Sequence, residues 1–591
     1  MRDTLSDSPH RPKLSDHTVT KRVIILALMG ILIGSGGAFG AIVLLHLIAL
    51  MTNLFWYHQF SFAERLMPGS AGALHIIAAP VLGSLIIGVL ARFGSEKIRG
   101  HGIPEAIEAI LYSESRMSPK VAVLKPLSSA VSIGSGGPFG AEGPIIMTGG
   151  AIGSLFAQLF HLSAAERKTL LVAGAAAGMT AIFNAPLAAV MLALEVLLFE
   201  WKPRSFIPVV SAVLVSWCWR NALIGTGAIF PFPLISHLQP MQLFVAIGIG
   251  ALTGVVAVAL SKSLYRLEEW FHQLPVHWMW WPALGSVIVG VGGIIQPRVL
   301  GAGYASIQNL LDGSLAVNII ISLLLVKSIV WLVSLGSGTS GGVVAPLLII
   351  GGAVGAVAAH LLPGYGSMLV MAGMSGILSG AMRAPLTGTL FAVEVTGRFE
   401  LLPVALGAAV ASYALSVLMM PRSIFTERLA RRGHHIVQEF ATDTLETTKA
   451  QQIMTAAPAT LPDSMPLHQV IALMSDLHAH HHYPVVNAQG QFIAVVSRKE
   501  MIQWQLQQHA SDMTLQELIG EEPQISAHAD TLCSDIADHL FNEETGMVVV
   551  TEAGSGHVKG VITRHDIFRV RYLSKKSEIH KMKYLRLRKP E

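Results

Sequence analysis

The chain has 591 residues, of which 52% are hydrophobic and only 13% charged, and its mean hydropathy is +0.56. Soluble domains carry roughly 25% charged residues, so the composition excludes a single water-soluble globule and indicates a polytopic membrane protein. The formal net charge of +4 is small for this length and owes part of its value to the tail, so nothing in it asks for nucleic acid; Cys218 and Cys533 are too far apart in character to suggest a disulfide framework.

Residues 1–21 read as a polar tail. The apolar run that follows, 23–51, is too long for a signal-peptide core and is read as an uncleaved first helix. Arg11, Lys13, Lys21 and Arg22 lie on its N-terminal side and the C-terminal third is rich in Lys and Arg, which places both termini in the cytoplasm. A bilayer needs about 20 apolar residues per helix, and such runs recur at 74–91, 169–194, 240–261, 328–359 and 401–420. They are continuous rather than alternating, which argues for spanning helices and against a barrel.

Within this region "VSIGSGGPFGAEGPIIMTGG" at 131–150 carries one carboxylate, Glu142, the only formal charge between Lys125 and Glu166. The stretch is echoed by "VSLGSGTSGGVVAPLLIIGG" at 333, an offset of 202, and "AGAAAGMTAIFNAPLAAVMLALEV" at 173 by "AGMSGILSGAMRAPLTGTLFAVEV" at 372, an offset of 199. Two echoes at nearly one spacing indicate an internal duplication, and Gly- or Pro-interrupted helices at matched places of two repeats point to a transport site between them. Close packing through small residues explains some of the glycines, but not the matched breaks or the lone acid. A helix start offers unpaired N–H groups and a positive dipole end, so it suits an anion without a basic side chain.

After Met420 the text becomes charged, with a last membrane-proximal helix and linker at 421–448. From 449 it reads as a soluble α/β unit in two similar halves, 449–510 and 511–573, before a basic tail at 574–591. The segments "VVSRKEMI" and "VITRHDIF" resemble the strand-end hydroxyl and acid of tandem CBS domains. That resemblance implies an adenine nucleotide at Thr563 and Asp566, or a pair that only stabilises a dimer.

"GHGIPEAIEA" at 100, "GAEGP" at 140 and "GVVAP" at 342, in that order and followed by the CBS pair, resemble the three signature motifs of the CLC chloride channel and transporter family. The fold implied is an all-α polytopic membrane protein, an inverted repeat of interrupted helices, with a cytoplasmic α/β CBS pair appended. The resemblance also implies a homodimer in the plasma (cell inner) membrane, each subunit carrying its own pathway for chloride or other small anions. Glu142 falls on the family's gating glutamate, which competes with the anion and takes up a proton. A carboxylate at bilayer depth costs about 2.5–3.5 kcal/mol to insert, so it has to be functional or paired. Anion contacts carried over motif by motif fall on His101, Gly102 and Ile103, on Ala141 and Gly143 beside Glu142, on Val343 and Val344, and on Phe425.

Four positions depart from the family pattern. His101 stands where a serine is usual; its imidazole either faces the ion or turns away and packs. Phe425 replaces a tyrosine, so that gate lacks its hydroxyl. Val196 occupies the place of an internal proton-transfer glutamate; Glu195 next to it is mirrored by Glu394 and is read as structural, with a substitute proton relay as the alternative. Ala141 replaces a basic residue, which weakens anion steering. The expected function is proton-coupled chloride antiport, with a passive chloride channel gated by Glu142 as the alternative. A nucleotide sensor merely anchored in the membrane and a magnesium pathway are disfavoured, the first by the paired interrupted helices and the second by the lack of acid clusters. No catalytic constellation marks an enzyme, "GSGGPFG" is no phosphate loop, and no cofactor is required. His478, His480, His481 and His482 form either a solvated helix end or a metal site, and the basic tail either meets anionic lipid or stays solvated.

Overall fold

The computed structural model describes residues 21–579 except 70, 114, 234–238, 363, 434–444, 446–447, 476–479, 508–509, 520–525 and 543–545. The basic tail from 580, His478 and the N-terminal basic residues up to 20 lie outside the described residues. The chain folds as two units, divided between Phe440 and Ala441.

The first unit is helical: α1 (Arg22–Thr52), α2 (Ala73–Phe93), α3 (Ile103–Tyr112), α4 (Pro119–Gly134), α5 (Glu142–Ala157), α6 (Ala164–Phe183), α7 (Pro186–Leu192), α8 (Pro203–Leu223), α9 (Pro240–His272), α10 (Trp281–Ile295), α11 (Tyr304–Leu311), α12 (Val317–Gly336), α13 (Val344–Leu361), α14 (Gly366–Met382), α15 (Pro385–Thr396), α16 (Leu402–Met419) and α17 (Thr426–Arg431). Eight helical segments among the described residues are long and apolar enough to cross a bilayer. Two of the apolar runs are not single helices. The run 169–194 breaks at Asn184 (φ 52°) before Pro186, and 328–359 is divided into α12 and α13 by the loop that carries "GVVAP". In the second repeat α14 and α15 break likewise at Arg383 (φ 59°) before Pro385.

The duplication is visible in matched contacts. α5 crosses α6 where a Cβ on Gly149 would strike the carbonyl of Gly174 and one on Gly174 that of Gly149; α13 crosses α14 at Gly351 and Gly373 in the same reciprocal way. Only hydrogen side chains allow backbones this close. The carboxylate of Glu195, just beyond α7, accepts the N–H groups of Leu386 (3.2 Å) and Thr387 (2.8 Å) at the start of α15. Glu394 on α15 returns the bond, accepting from Leu187 (2.9 Å) and Ala188 (2.7 Å) at the start of α7. A contact in which each repeat does to the other what is done to it is the mark of approximate two-fold symmetry. Two fully buried lysines repeat as well. Lys125 Nζ donates to the carbonyls of Ile98 (2.8 Å) and Gly100 (2.7 Å), and Lys327 Nζ to those of Val299 (2.8 Å) and Gly301 (3.1 Å). Each fixes the loop that leads into a short helix, α3 or α11.

The C-terminal unit is α/β. Its first half has β2 (Leu461–Pro462) parallel to β3 (His482–Val486), which pairs antiparallel with β4 (Phe492–Ser497). The second half repeats this with β5 (Ser526–His528), β6 (Met547–Thr551) and β7 (Val558–Thr563), and β1 (Thr455–Ala456) joins β7 at the edge. The halves interleave at their margins. Ala450 and Gln451 donate to Thr531 and Ala529 of the second half, while Leu515 and Gln516 donate to Met465 and Asp463 of the first, so a cut at 511 passes through hydrogen-bonded backbone.

Candidate anion site

Three chain segments meet at the start of α3, α5 and α13. Gly100 bridges to Ser340 and Gly140 to Gly342, the latter through Gly342 N–H to the Gly140 carbonyl at 3.0 Å. A Cβ on Gly143 would overlap the carbonyl of His101, and one on Gly140 or Gly342 would overlap the carboxylate of Glu142. The glycines of the two motifs therefore make room for each other's backbone and for one acidic side chain. This brings His101, Gly102, Ile103, Ala141, Glu142, Gly143, Val343 and Val344 into one buried neighbourhood, none of them more than 3% exposed where a value is given.

Glu142 is the first residue of α5 and is fully buried. Its Oε1 accepts the backbone N–H of Ala345 in the first turn of α13 at 3.1 Å. A carboxylate there satisfies one of the donors that a helix start leaves open, and sits at its positive end. Its Oε2 has no hydrogen-bond partner among the described residues, and neither has the hydroxyl of Tyr304, the first residue of α11, which lies against Glu142 and the backbone of Ala141. Lys327 is close enough to act on Glu142 by charge.

His101 is 1% exposed, its ring centroid 5.4 Å from that of Phe425 with the planes tilted by 40°. Phe425 precedes α17 and is itself fully packed, so α17 closes over the start of α3. The imidazole thus packs on Phe425, yet its Nδ1 is buried without a hydrogen-bond partner among the described residues. The amide of Gly102 is already committed to Glu105 Oε2 at 3.0 Å, which corrects the expectation that it is free for an anion and leaves Ile103 as the open amide of that turn. Val196, at the place of the internal glutamate, is 2% exposed and apolar in its surroundings.

A cavity of about 940 Å³ is lined by α3, α9 and α17 together with Lys97, Arg99 and Met147. Glu105 there is shared by Arg428 and Arg432 at 3.4 Å each, Arg432 also reaches Glu108 at 2.5 Å, and Arg431 pairs with Glu269 at 2.8 Å. Arg99 differs: its guanidinium lies 4.5 Å from the ring of Trp278 and 5.8 Å from that of Trp281, and it makes no ion pair among the described residues. Lys125, Lys327, Tyr304 and Arg99 were not singled out from the sequence. A signal existed for the lysines, which are separated by the same 202 residues as the motif echo.

In the C-terminal unit Thr563 donates to Asp566 Oδ2 from its N–H (2.9 Å) and hydroxyl (2.7 Å), and Ser497 does the same to Glu500 Oε2 at 2.7 Å each. Both pairs close the first turn of a helix. His480 packs edge-on against Tyr483 at 5.6 Å, and no group of three metal-ligating side chains occurs among the described residues.

Comparison with known proteins agrees with this architecture. Residues 82–417 match the family described as voltage gated chloride channel, and 450–507 and 517–572 each match a CBS domain. The chain is 31% identical over 368 residues to the voltage-gated ClC-type chloride channel ClcB of Shigella flexneri, covering 60% of this chain and 87% of that one. It is 30% identical over 384 residues to the H(+)/Cl(-) exchange transporter ClcA of Vibrio campbellii, covering 61% and 81%. Among solved structures, a slow cyanobacterial Cl-/H+ antiporter aligns at TM-score 0.61 and 22% identity over 70% of this chain and 99% of that one. A eukaryotic CLC transporter aligns at 0.54 and 20% over 92% and 97%. With the family's sequence pattern matched across its helical unit, its helix starts gathered around one acid, and two CBS domains behind it, the chain belongs to the CLC family of voltage-gated chloride channel proteins.

Proposed function

We propose that this protein exchanges chloride for protons across the membrane, with Glu142 as both gate and proton acceptor. The observation that carries this reading is the hydrogen bond from Ala345 N–H to Glu142 Oε1. The carboxylate occupies the place where an anion would meet the start of α13. Deprotonated, it competes with chloride for those donors; protonated, it loses its charge and its hold on the helix end, and withdraws. Chloride then meets the amides of Ile103, Gly143, Val343 and Val344, with His101 and Phe425 closing the inner side. Each cycle that moves the carboxyl group in and out can carry one proton. With Val196 in place of a relay, the inner proton arrives by water from the 940 Å³ cavity, which reaches Glu105 and Met147 beside the start of α3. The assembly we infer is a homodimer in the cell's inner membrane with both termini cytoplasmic, and an adenine nucleotide at Thr563 and Asp566 tunes it.

The test is simultaneous recording of chloride efflux and external pH from liposomes containing the purified protein, with an outward chloride gradient and the potential clamped. Uphill proton uptake coupled to chloride efflux is expected, and Glu142→Gln should abolish proton movement while leaving chloride flux. Chloride flux with a flat pH record would make this a passive channel for which Glu142 is only a gate. A nucleotide at the CBS pair should raise that unit's unfolding temperature, and Asp566→Ala should remove the rise.

A further inference from the structure

We propose that Tyr304 is a positioning residue for Glu142: its hydroxyl holds the second carboxylate oxygen in the closed gate and sets the pH at which the gate releases. The inference rests on Glu142 being the gate. Its basis is two buried polar atoms that lie against each other, Glu142 Oε2 and the Tyr304 hydroxyl, each without another hydrogen-bond partner among the described residues. Oε1 is already held by Ala345, so the carboxylate is fixed at one oxygen and lacks a donor at the other. Burying either atom unpaired is costly, whereas a small shift of the carboxylate towards the tyrosine ring pairs both.

The surroundings keep the hydroxyl there. The Tyr304 ring packs edge-on to Phe183 (6.3 Å) and tilted on Phe230 (6.0 Å), which restrains its swing. Gly303, with φ 74°, starts α11 and lies against Ile349 of α13, and Lys327 of α12 holds the preceding loop through Val299 and Gly301. Three elements of the second repeat, α11, α12 and α13, therefore converge on one acid of the first. The groups that act on Glu142 from these elements are the Tyr304 hydroxyl, the Lys327 ammonium and the Ala345 amide. Glu64 is the further carboxylate that acts on Tyr304. Lys327 contributes charge at a distance, two of its three protons being held by the carbonyls of Val299 and Gly301. Tyr304 is the side-chain donor in reach of Oε2.

A hydrogen bond to the charged carboxylate favours the closed gate, so removing it lets protonation open the gate at higher pH. Bonds to charged groups are worth about 1.5–3 kcal/mol, and one pH unit corresponds to about 1.4 kcal/mol. In Tyr304→Phe the midpoint of chloride flux against external pH should therefore move up by roughly one to two units, with about ten- to hundredfold more flux on the alkaline side. Tyr304→Phe keeps the ring, and the double variant Glu142→Gln with Tyr304→Phe serves as its control: flux equal to that of Glu142→Gln alone is expected, because no carboxylate remains to be held. A Tyr304→Phe profile identical to wild type, with Glu142→Gln flattened, overturns the role of Tyr304 and leaves the gate intact. A wild-type pH profile in Glu142→Gln overturns the gate and this proposal together. A double variant with altered flux relative to Glu142→Gln shows that the ring change disturbs the pathway itself and likewise refutes it.

Discussion

Glu195 and Glu394 cap each other's helices, the first at the start of α15 and the second at the start of α7. Each carboxylate meets two N–H groups, and Glu195 also accepts the Thr387 hydroxyl at 2.6 Å. Glu195→Gln and Glu394→Gln should each lower stability by about 1–3 kcal/mol, seen as a lower unfolding temperature in detergent, with the proton-to-chloride ratio unchanged. A lost ratio at full stability in Glu195→Gln would assign that carboxylate to the proton route instead.

Arg99 stands over Trp278 and makes no ion pair among the described residues, although Glu96 and Glu268 act on it by charge, while Arg428, Arg431 and Arg432 around the same cavity pair directly with glutamates. With Lys97 on the same wall, it offers positive charge to chloride arriving from that side. Arg99→Gln should reduce flux several-fold at low ionic strength and much less at 0.5 M salt, where charges beyond about 4–5 Å are screened. Equal flux at both salt concentrations would leave Arg99 as a packing residue.

His101 and Phe425 face each other where the family resemblance would put a hydroxyl pair, and one imidazole nitrogen has no partner among the described residues. Phe425→Tyr restores a donor at the mouth and should tighten chloride binding, measured by calorimetry, by about 0.5–1.5 kcal/mol. His101→Ser should change the order of preference among chloride, bromide and nitrate. Unchanged affinity and order in both variants would confine the ring pair to packing.

Cys533 is fully buried in the second CBS half, and burial pushes its thiol up to about 11. The thiolate is the reactive species, so at pH 8 Cys533 should resist a maleimide in the folded protein and react once denaturant opens that unit. Rapid labelling of the native chain at this position, read by mass spectrometry, would show that the unit opens far more readily than its packing implies.

Much of this site could be read in the sequence because it is written in residue types with few other uses. A lone acid amid glycines, prolines at matched breaks and two echoes near an offset of 200 point to helix ends and to Glu142. The mirroring of Glu195 and Glu394 similarly points to structure, and the reciprocal caps give the reason. What escaped were residues whose meaning lies in distant partners. Lys125 and Lys327 look like the charged margins of apolar runs, yet both are buried and hold backbone carbonyls. Tyr304 reads as core aromatic; its hydroxyl matters only because α11 is brought beside α5. Gly102 looked like an open amide because the reach of Glu105 back onto it depends on the turn geometry. The span 328–359 looks like one apolar stretch because hydropathy cannot see that "GVVAP" starts a second helix.

The reciprocal glycine crossings, Gly149 with Gly174 and Gly351 with Gly373, have a mechanical consequence. Helices already touching along their main chains have no slack to tilt or slide past each other, so each repeat is stiff within itself, and the crossed caps of Glu195 on α15 and Glu394 on α7 tie one repeat to the other. A transporter built on such a frame has little choice but to keep its scaffold still and confine its moving part to something the size of a side chain.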